Sequence, residues 1–128
     1  LVAYPVIELP EGRRDLHRYL RDLEQVGIDT LAGFGVAGQR RAGYTGVWIG
    51  GLKVASIGVA VRRWVTWHGL ALNITTDLAA FGTFQPCGLD AAVMTRLVDH
   101  TPDVGVDQVA EAFVTAFRAR FGFAEIVP

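Results

Sequence analysis

The sequence predicts one α+β domain in two layers, with α-helices packed on a β-sheet. A helix-periodic segment fills the first third of the chain, a β-rich run with turn glycines fills the centre, and a second helical segment lies near the end. Helix, hairpin, strand and then helices is the order typical of this fold class. The 128 residues suffice for one hydrophobic core, so residues 1–128 are interpreted as a single domain.

The first nine residues, LVAYPVIEL, are apolar and rich in β-branched side chains, and the chain starts without methionine. Such a composition predicts a strand. A strand at the very start of a chain has no earlier strand to pair with. We therefore expect residues 1–128 to form a partial domain whose front portion is missing.

A helix is predicted from about Asp15, because leucines recur three or four residues apart in one apolar stripe. Gly33 and Gly35 are expected to end it with a left-handed cap. The following GFGVAG, residues 33–38, matches a dinucleotide-binding pattern. That motif requires a preceding strand and a following helix, and here a helix precedes it, so a dinucleotide site is excluded.

The centre of the chain predicts three strands. Residues 44–49 and 53–61 are joined at Gly50-Gly51, which indicates a hairpin, and GLALNIT, residues 69–75, forms the third strand. In the second strand, Ser56 and Gly58 fall on a face of mostly small residues. Small side chains let a ligand approach the backbone closely, so this face is a candidate binding surface.

Two more helices are predicted after Cys87, over residues 90–100 and residues 106–121, with Gly122 as the stop of the second. Residues 123–128 are expected to add a short strand.

Composition excludes several classes of function. A net charge of −1 gives no sign of nucleic-acid binding. The longest apolar runs are too short to span a bilayer, and no signal peptide is visible, so no membrane contact is expected. A single cysteine cannot form an internal disulfide, which favours a cytoplasmic location. No Cys/His set has zinc-ligand spacing and no P-loop is present, so no metal or cofactor is expected.

Cys87, the single cysteine, lies in QPCGLD between Pro86 and Gly88. One interpretation is a small buried hydrophobic residue. The other is a nucleophile, because a thiol at a turn before a helix N-terminus ionises more easily. A thiolate needs a partner, and Lys53, the only lysine, and His68 are the candidates. Alternatively, Lys53 protects an edge strand against aggregation.

Four motifs, GYTGVW, KVASIG, HGLALN and PCG, follow one another in an order and spacing similar to those of the octanoyltransferases of the lipoate pathway. The resemblance covers nearly the whole chain and implies the fold of biotin and lipoate protein ligases, a class II synthetase-like catalytic domain. The family's RGG and TYHGPGQ elements, which also line its substrate site, are absent here. The resemblance therefore also implies a missing front portion.

The resemblance implies an acyltransferase that moves an octanoyl (lipoyl) group from acyl carrier protein to a lysine of a lipoyl domain, by way of a cysteine thioester. By motif match, Cys87 carries the acyl group and Lys53 lowers its pKa. Matched segments that line the acyl pocket are Ser56, Ile57, Gly58, Gly69, Leu70 and Ala71. The implied acceptors are the lipoyl domains of 2-oxoacid dehydrogenases and the glycine cleavage H protein.

Two other classes of function stay open at this point. One is an ATP-dependent lipoate or biotin ligase on a similar fold, although PCG argues against it because such a ligase needs no essential cysteine. The other is a non-catalytic fragment of the fold.

Overall fold

The structure, a computed structural model, describes residues 1–79 and 93–122. Within these ranges it contains four strands, two α-helices and two 3-10 helices of three residues each. The strands are β1 (Val2–Ala3), β2 (Gly46–Ile49), β3 (Leu52–Arg62) and β4 (Val65–Leu72). The α-helices are α1 (Leu16–Ala32) and α2 (Val106–Phe121), and the 3-10 helices are Glu11–Arg13 and Leu97–Asp99.

The strands form one antiparallel sheet in the order β1-β4-β3-β2. The predicted hairpin is confirmed: Gly50 and Gly51 join β2 to β3 with φ values of 55° and 87°. Two successive residues at positive φ match the right-handed twist of the strands they connect, and glycine adopts such φ values without steric cost. The α+β prediction is confirmed.

Helix α1 covers one face of this sheet. Its buried stripe includes Leu23, Val26 and Leu31. Gly27 allows close approach, since a Cβ there would lie 3.0 Å from Cγ2 of Val47 on β2. Asp15 caps the helix by accepting a hydrogen bond from the Arg18 backbone N–H at 3.1 Å. The predicted start of this helix is therefore confirmed.

Helix α2 packs against α1. Its buried residues are Val109, Phe113 and Phe117, which recur at a spacing of four. It ends where predicted, at Gly122, whose φ of 76° is left-handed. An ion pair ties the two helices together, with Arg120 Nε 2.8 Å from Asp22 Oδ1. The helices and the sheet enclose one core.

Three local predictions were correct only in part. Gly33 is right-handed at φ −62°, and the left-handed residue after α1 is Gly35 at φ 75°. The N-terminal strand is short because Pro5 lacks a backbone donor, so beyond Val2–Ala3 only an isolated bridge from Glu8 to Val65 forms. The strand predicted over residues 69–75 begins and ends earlier in the chain, since β4 spans Val65–Leu72.

The predicted helix over residues 90–100 is wrong where the structure describes it, from residue 93 onward. Met94 forms a parallel bridge with Lys53, and the Thr95 N–H donates to the Lys53 carbonyl at 2.7 Å. The Leu97 N–H donates to the Asn73 carbonyl at 2.8 Å. These donors are used by the ends of β3 and β4, so an α-helix cannot use them. Residues 90–92 and the predicted strand over 123–128 lie outside the described residues.

Candidate functional site

An open groove of about 300 Å³ lies on the sheet near the β1 edge. Val2 and Tyr4 border it and are 58% and 66% exposed. Its other lining residues come from the centres of β3 and β4, and among them are all six residues assigned to the acyl pocket by motif match: Ser56, Ile57, Gly58, Gly69, Leu70 and Ala71. The structure thus brings together two motifs that are separated in sequence.

Strand register explains why the groove is open. Ser56 pairs with Ala71 and Gly58 pairs with Gly69, so small side chains face each other across the two strands. Ile57 pairs with Leu70, whose Cδ1 lies 3.6 Å from the Cβ position of Gly27 in α1. Because side chains alternate along a strand, Ile57 and Leu70 point into the core and border the groove through their main chain.

The two facing glycines serve different purposes. A Cβ at Gly58 would meet nothing within 4 Å, so its missing side chain leaves empty space in the groove. A Cβ at Gly69 would overlap the Ala3 carbonyl oxygen and lie 2.7 Å from Pro5 Cδ. Gly69 therefore lets β1 pair with β4, whereas Gly58 shapes the groove.

A bulge in the β2–β3 hairpin sets the direction of Lys53. Gly46 pairs with Ser56 and Val47 with Ala55, but Trp48 pairs with Lys53, which leaves Val54 without a partner. Gly46 and Trp48 are two residues apart and share a face, so their partners Ser56 and Lys53 share it too. Strict alternation along β3 would instead place Lys53 on the helix-covered face with Ala55. The bulge turns it to the face that carries Ser56.

Lys53 is only 2% exposed, and it lies on β3, an inner strand of the sheet. The interpretation as a protective edge-strand lysine is therefore wrong. Its Nζ lies 5.6 Å from the centroid of the Trp48 ring. Within residues 1–79 and 93–122, no carboxylate lies within ion-pair distance of this ammonium. Burying a cation without a carboxylate nearby is costly, and groups buried in this way occur most often at functional sites.

His68, the other candidate partner of the thiol, also borders the groove. Its φ of 59° is unusual for a residue other than glycine. The imidazole stacks on Trp67 with ring centroids 5.8 Å apart and meets Tyr4 edge-on at 6.4 Å. Cys87 lies outside the described residues, so its distances to Lys53 and His68 are not part of the structure.

Sequence reasoning missed Glu24, a fully buried carboxylate on α1. It accepts hydrogen bonds from Arg21 Nη1 at 2.9 and 2.7 Å, from Arg40 Nε at 3.1 Å and from the Gly46 N–H at 3.1 Å. Glu24 thereby fixes the start of β2, the strand that carries Trp48. One signal was available: Glu24 falls on the apolar stripe of α1, four residues after Leu20.

Residues 1–118 match the family described as the lipoyl protein ligase A/B catalytic domain. The chain belongs to this family. It is 53% identical over 122 residues to the octanoyltransferase of Gloeobacter violaceus, covering 95% of this chain and 54% of that protein. It is 58% identical over 97 residues to the octanoyltransferase of Geobacter metallireducens, covering 76% and 46%. The chain spans about half the length of the curated relatives it matches.

Solved structures support the fold. A lipoate-protein ligase A bound with ATP superposes with a TM-score of 0.73 at 16% identity, over 94% of this chain and 50% of that one. The bipartite lipoate protein ligase of Thermoplasma acidophilum, described with its E2 lipoyl domain, gives 0.76 at 15% identity, over 99% and 52%. The prediction of a biotin/lipoate protein ligase-like domain is confirmed.

Two further observations concern the described residues alone. None of their helices has the length and apolar character that crossing a membrane requires. Residues 1–79 and 93–122 also contain no cluster of three or more His, Cys, Asp or Glu side chains arranged to hold a metal ion.

Proposed function

We propose that this chain is the part of an octanoyltransferase that carries the nucleophile and the acyl groove. The protein would transfer an octanoyl group from acyl carrier protein to a lipoyl domain in protein lipoylation. One observation carries the proposal: the small-residue groove and the Lys53 side chain occupy the same face of the sheet. The octanoyltransferase relatives, several near 50% identity, support the same reaction.

The acyl chain would lie in the groove over Ser56, Gly58 and Ala71. These positions offer a floor of small side chains beside main-chain groups, with Val2 and Tyr4 as an apolar border. Burying each methylene of the chain contributes about 0.8 kcal/mol, so a groove that covers several of them selects for length. Gly69 and the main chain of Ile57 and Leu70 complete the contact surface.

The chemistry would proceed in two steps. The Cys87 thiolate attacks the thioester carbonyl of the octanoyl carrier, and the carrier's thiolate leaves as the enzyme thioester forms. The ε-amine of the acceptor lysine then attacks that thioester, loses a proton and forms an amide while the Cys87 thiolate leaves. The first step exchanges one thioester for another, and the second is driven by the stability of the amide. The Lys53 ammonium would favour the thiolate by charge.

The proposed donor is octanoyl-acyl carrier protein, and the proposed acceptors are the lipoyl domains of 2-oxoacid dehydrogenases and the glycine cleavage H protein. The two steps require neither a metal nor a nucleotide. We propose that the reaction takes place in the cytoplasm, since a free thiolate nucleophile must stay reduced.

An ATP-dependent ligase is the alternative on the same fold. Three lipoate ligases of known structure are only 15 to 17% identical to this chain, which supports a shared fold and not a shared chemistry. The octanoyltransferases near 50% identity favour transfer without nucleotide.

The test uses residues 1–128 alone and an extended protein, in which they follow the front portion of the Gloeobacter violaceus octanoyltransferase. Each is incubated with a lipoyl domain and one of two donors, either octanoyl carrier protein without ATP or free octanoate with ATP. We expect octanoylated lipoyl domain from the extended protein without ATP. Modification only from free octanoate and ATP would indicate a ligase. No modification under either condition, in an extended protein that is folded by circular dichroism, would indicate a non-catalytic fold.

A further inference from the structure

We propose that Trp48 and Gly46 form a slot that fixes the Lys53 ammonium in one orientation, which makes Trp48 a positioning residue for Lys53. The role of this slot in catalysis rests on the proposed function. The geometry of the slot stands independently of that function, and the experiment below separates the two.

The Trp48 ring forms one wall of the slot. Trp48 is 2% exposed and pairs with Lys53 across the hairpin, and Nζ lies 5.6 Å from the ring centroid. A cation within about 6 Å of a ring centroid is attracted by the negative face of the ring, most strongly for tryptophan. Because both residues are buried, water competes little for the ammonium.

Gly46 provides the space for the lysine stem. A Cβ at this position would lie 2.9 Å from Lys53 Cε, 3.3 Å from Trp48 Cη2 and 2.7 Å from the Ala55 carbonyl oxygen. Any side chain at Gly46 would therefore push Cε out of its place or strain the backbone. The path of the Lys53 side chain is therefore defined by the missing side chain at Gly46 and by the ring of Trp48.

The slot is braced from outside. Tyr44 meets the Trp48 ring edge-on, with centroids 6.2 Å apart, and the Arg41 guanidinium lies 4.7 Å from the centroid of the Tyr44 ring. Glu24 accepts a hydrogen bond from the Gly46 N–H and so holds the other wall. The bulge is needed as well, because without it Lys53 would leave this face.

The indole N–H of Trp48 is buried and has no hydrogen-bond partner in the described part of the chain. Trp48 is therefore held by its ring contacts. Trp48→Phe keeps an aromatic face and loses no hydrogen bond, whereas Trp48→Leu keeps apolar bulk and loses the face. Trp64→Leu is a matched control, since Trp64 lies at the far β3–β4 turn beside Arg14.

Lys53 is the only lysine in the 128 residues, so lysine labelled with ¹³C gives one side-chain signal in NMR spectra of this chain. We expect the two Cε protons to be ring-shifted and unequal in the unmodified chain, in Trp48→Phe and in Trp64→Leu. In Trp48→Leu they should merge near the position of a free lysine. Unequal, ring-shifted protons that persist in Trp48→Leu would overturn the slot.

The effect of Trp48 on the reactivity of Cys87 is measured as the rate of Cys87 alkylation by iodoacetamide. The measurement uses the extended protein at a pH where the thiolate is the minor form. Losing the ring contact should lower the rate about two- to fivefold in Trp48→Leu, and Trp48→Phe should restore most of it. A Trp48→Leu rate equal to that of the unmodified protein, while Lys53→Ala is slower, would overturn the positioning role. If Lys53→Ala itself leaves the rate unchanged, the proposed pairing with Cys87 fails, and the NMR result still decides the slot.

Discussion

Replacing Gly58 by leucine should block the groove without disturbing the fold. Gly58 is exposed, and a Cβ there meets nothing within 4 Å. A leucine side chain would therefore project into the groove of about 300 Å³, beside the paired residues Ser56 and Ala71. Surface substitutions of this kind change the free energy of unfolding by only about 0.5 kcal/mol in either direction.

The effect on substrate should be much larger than the effect on stability. A leucine side chain occupies the space of about four methylenes of the acyl chain. Leaving four methylenes in water forfeits roughly 3 kcal/mol at 0.8 kcal/mol each, which corresponds to more than a hundredfold in affinity. Transfer of octanoyl should fall by about that factor in kcat/KM, and Gly58→Ala should give an intermediate loss.

The assay compares octanoyl and butyryl carrier proteins as donors in the extended protein. Gly58→Leu should discriminate strongly against octanoyl and leave butyryl transfer within a few-fold of its starting rate, because a butyryl chain has far fewer methylenes to bury than an octanoyl chain. Gly69→Ala is the contrasting variant, since its Cβ would overlap the Ala3 carbonyl oxygen. It should lower the free energy of unfolding by about 1 to 3 kcal/mol. Unchanged octanoyl transfer in Gly58→Leu would show that the acyl chain binds elsewhere.

Three further predictions concern single side chains. Lys53→Ala should raise the pKa of the Cys87 thiol, so the midpoint of its reaction with iodoacetamide should move to higher pH. Lys53→Arg should restore the midpoint only in part, because a guanidinium is wider than an ammonium. If the midpoint does not move in Lys53→Ala, His68 becomes the candidate partner of the thiol. Glu24→Leu removes the acceptor of the Gly46 N–H and the partner of two arginines that can rehydrate at the surface. The free energy of unfolding, measured by denaturant titration, should therefore fall by about 2 to 3 kcal/mol. A loss under about 0.5 kcal/mol would contradict the role of Glu24 in holding the start of β2. Burial raises the pKa of the Tyr19 phenol, although its hydrogen bond to Thr66 acts in the opposite sense. The unfolded chain therefore loses the Tyr19 proton first, stability should decline as pH rises above about 10, and Tyr19→Phe should flatten that decline relative to Tyr4→Phe.

The long elements were predictable because their patterns are local. The leucine stripe and Asp15 fixed the start of α1, and Gly50-Gly51 fixed the hairpin. The segment after Met94 was not predictable in this way. Its composition suits a helix, but its N–H groups donate to carbonyls at the ends of β3 and β4, which are more than 20 residues away in sequence. Local propensity cannot reveal such partners.

Motif match named residues that the structure brings together in one groove, but it did not reveal how they are arranged. Ser56, Gly58 and Ala71 were identified from motifs, and alternation placed the first two on one face. The direction of Lys53 depends on the bulge opposite Trp48, which strict alternation hides. Glu24 was missed because a carboxylate on an apolar stripe looks like an exception to the helical pattern. In the structure its side chain accepts the hydrogen bond from the Gly46 N–H that holds the start of β2.

The proposed mechanism depends on Cys87, which carries the acyl group between donor and acceptor. The most direct test is intact-protein and peptide mass spectrometry of the extended protein after brief incubation with octanoyl carrier protein and no acceptor. We expect one added octanoyl group on the peptide that contains Cys87 and its release when a lipoyl domain is supplied. In Cys87→Ala, both the adduct and turnover should be lost. Full turnover in Cys87→Ala, or an adduct on another residue that passes to the lipoyl domain, would contradict the proposed mechanism.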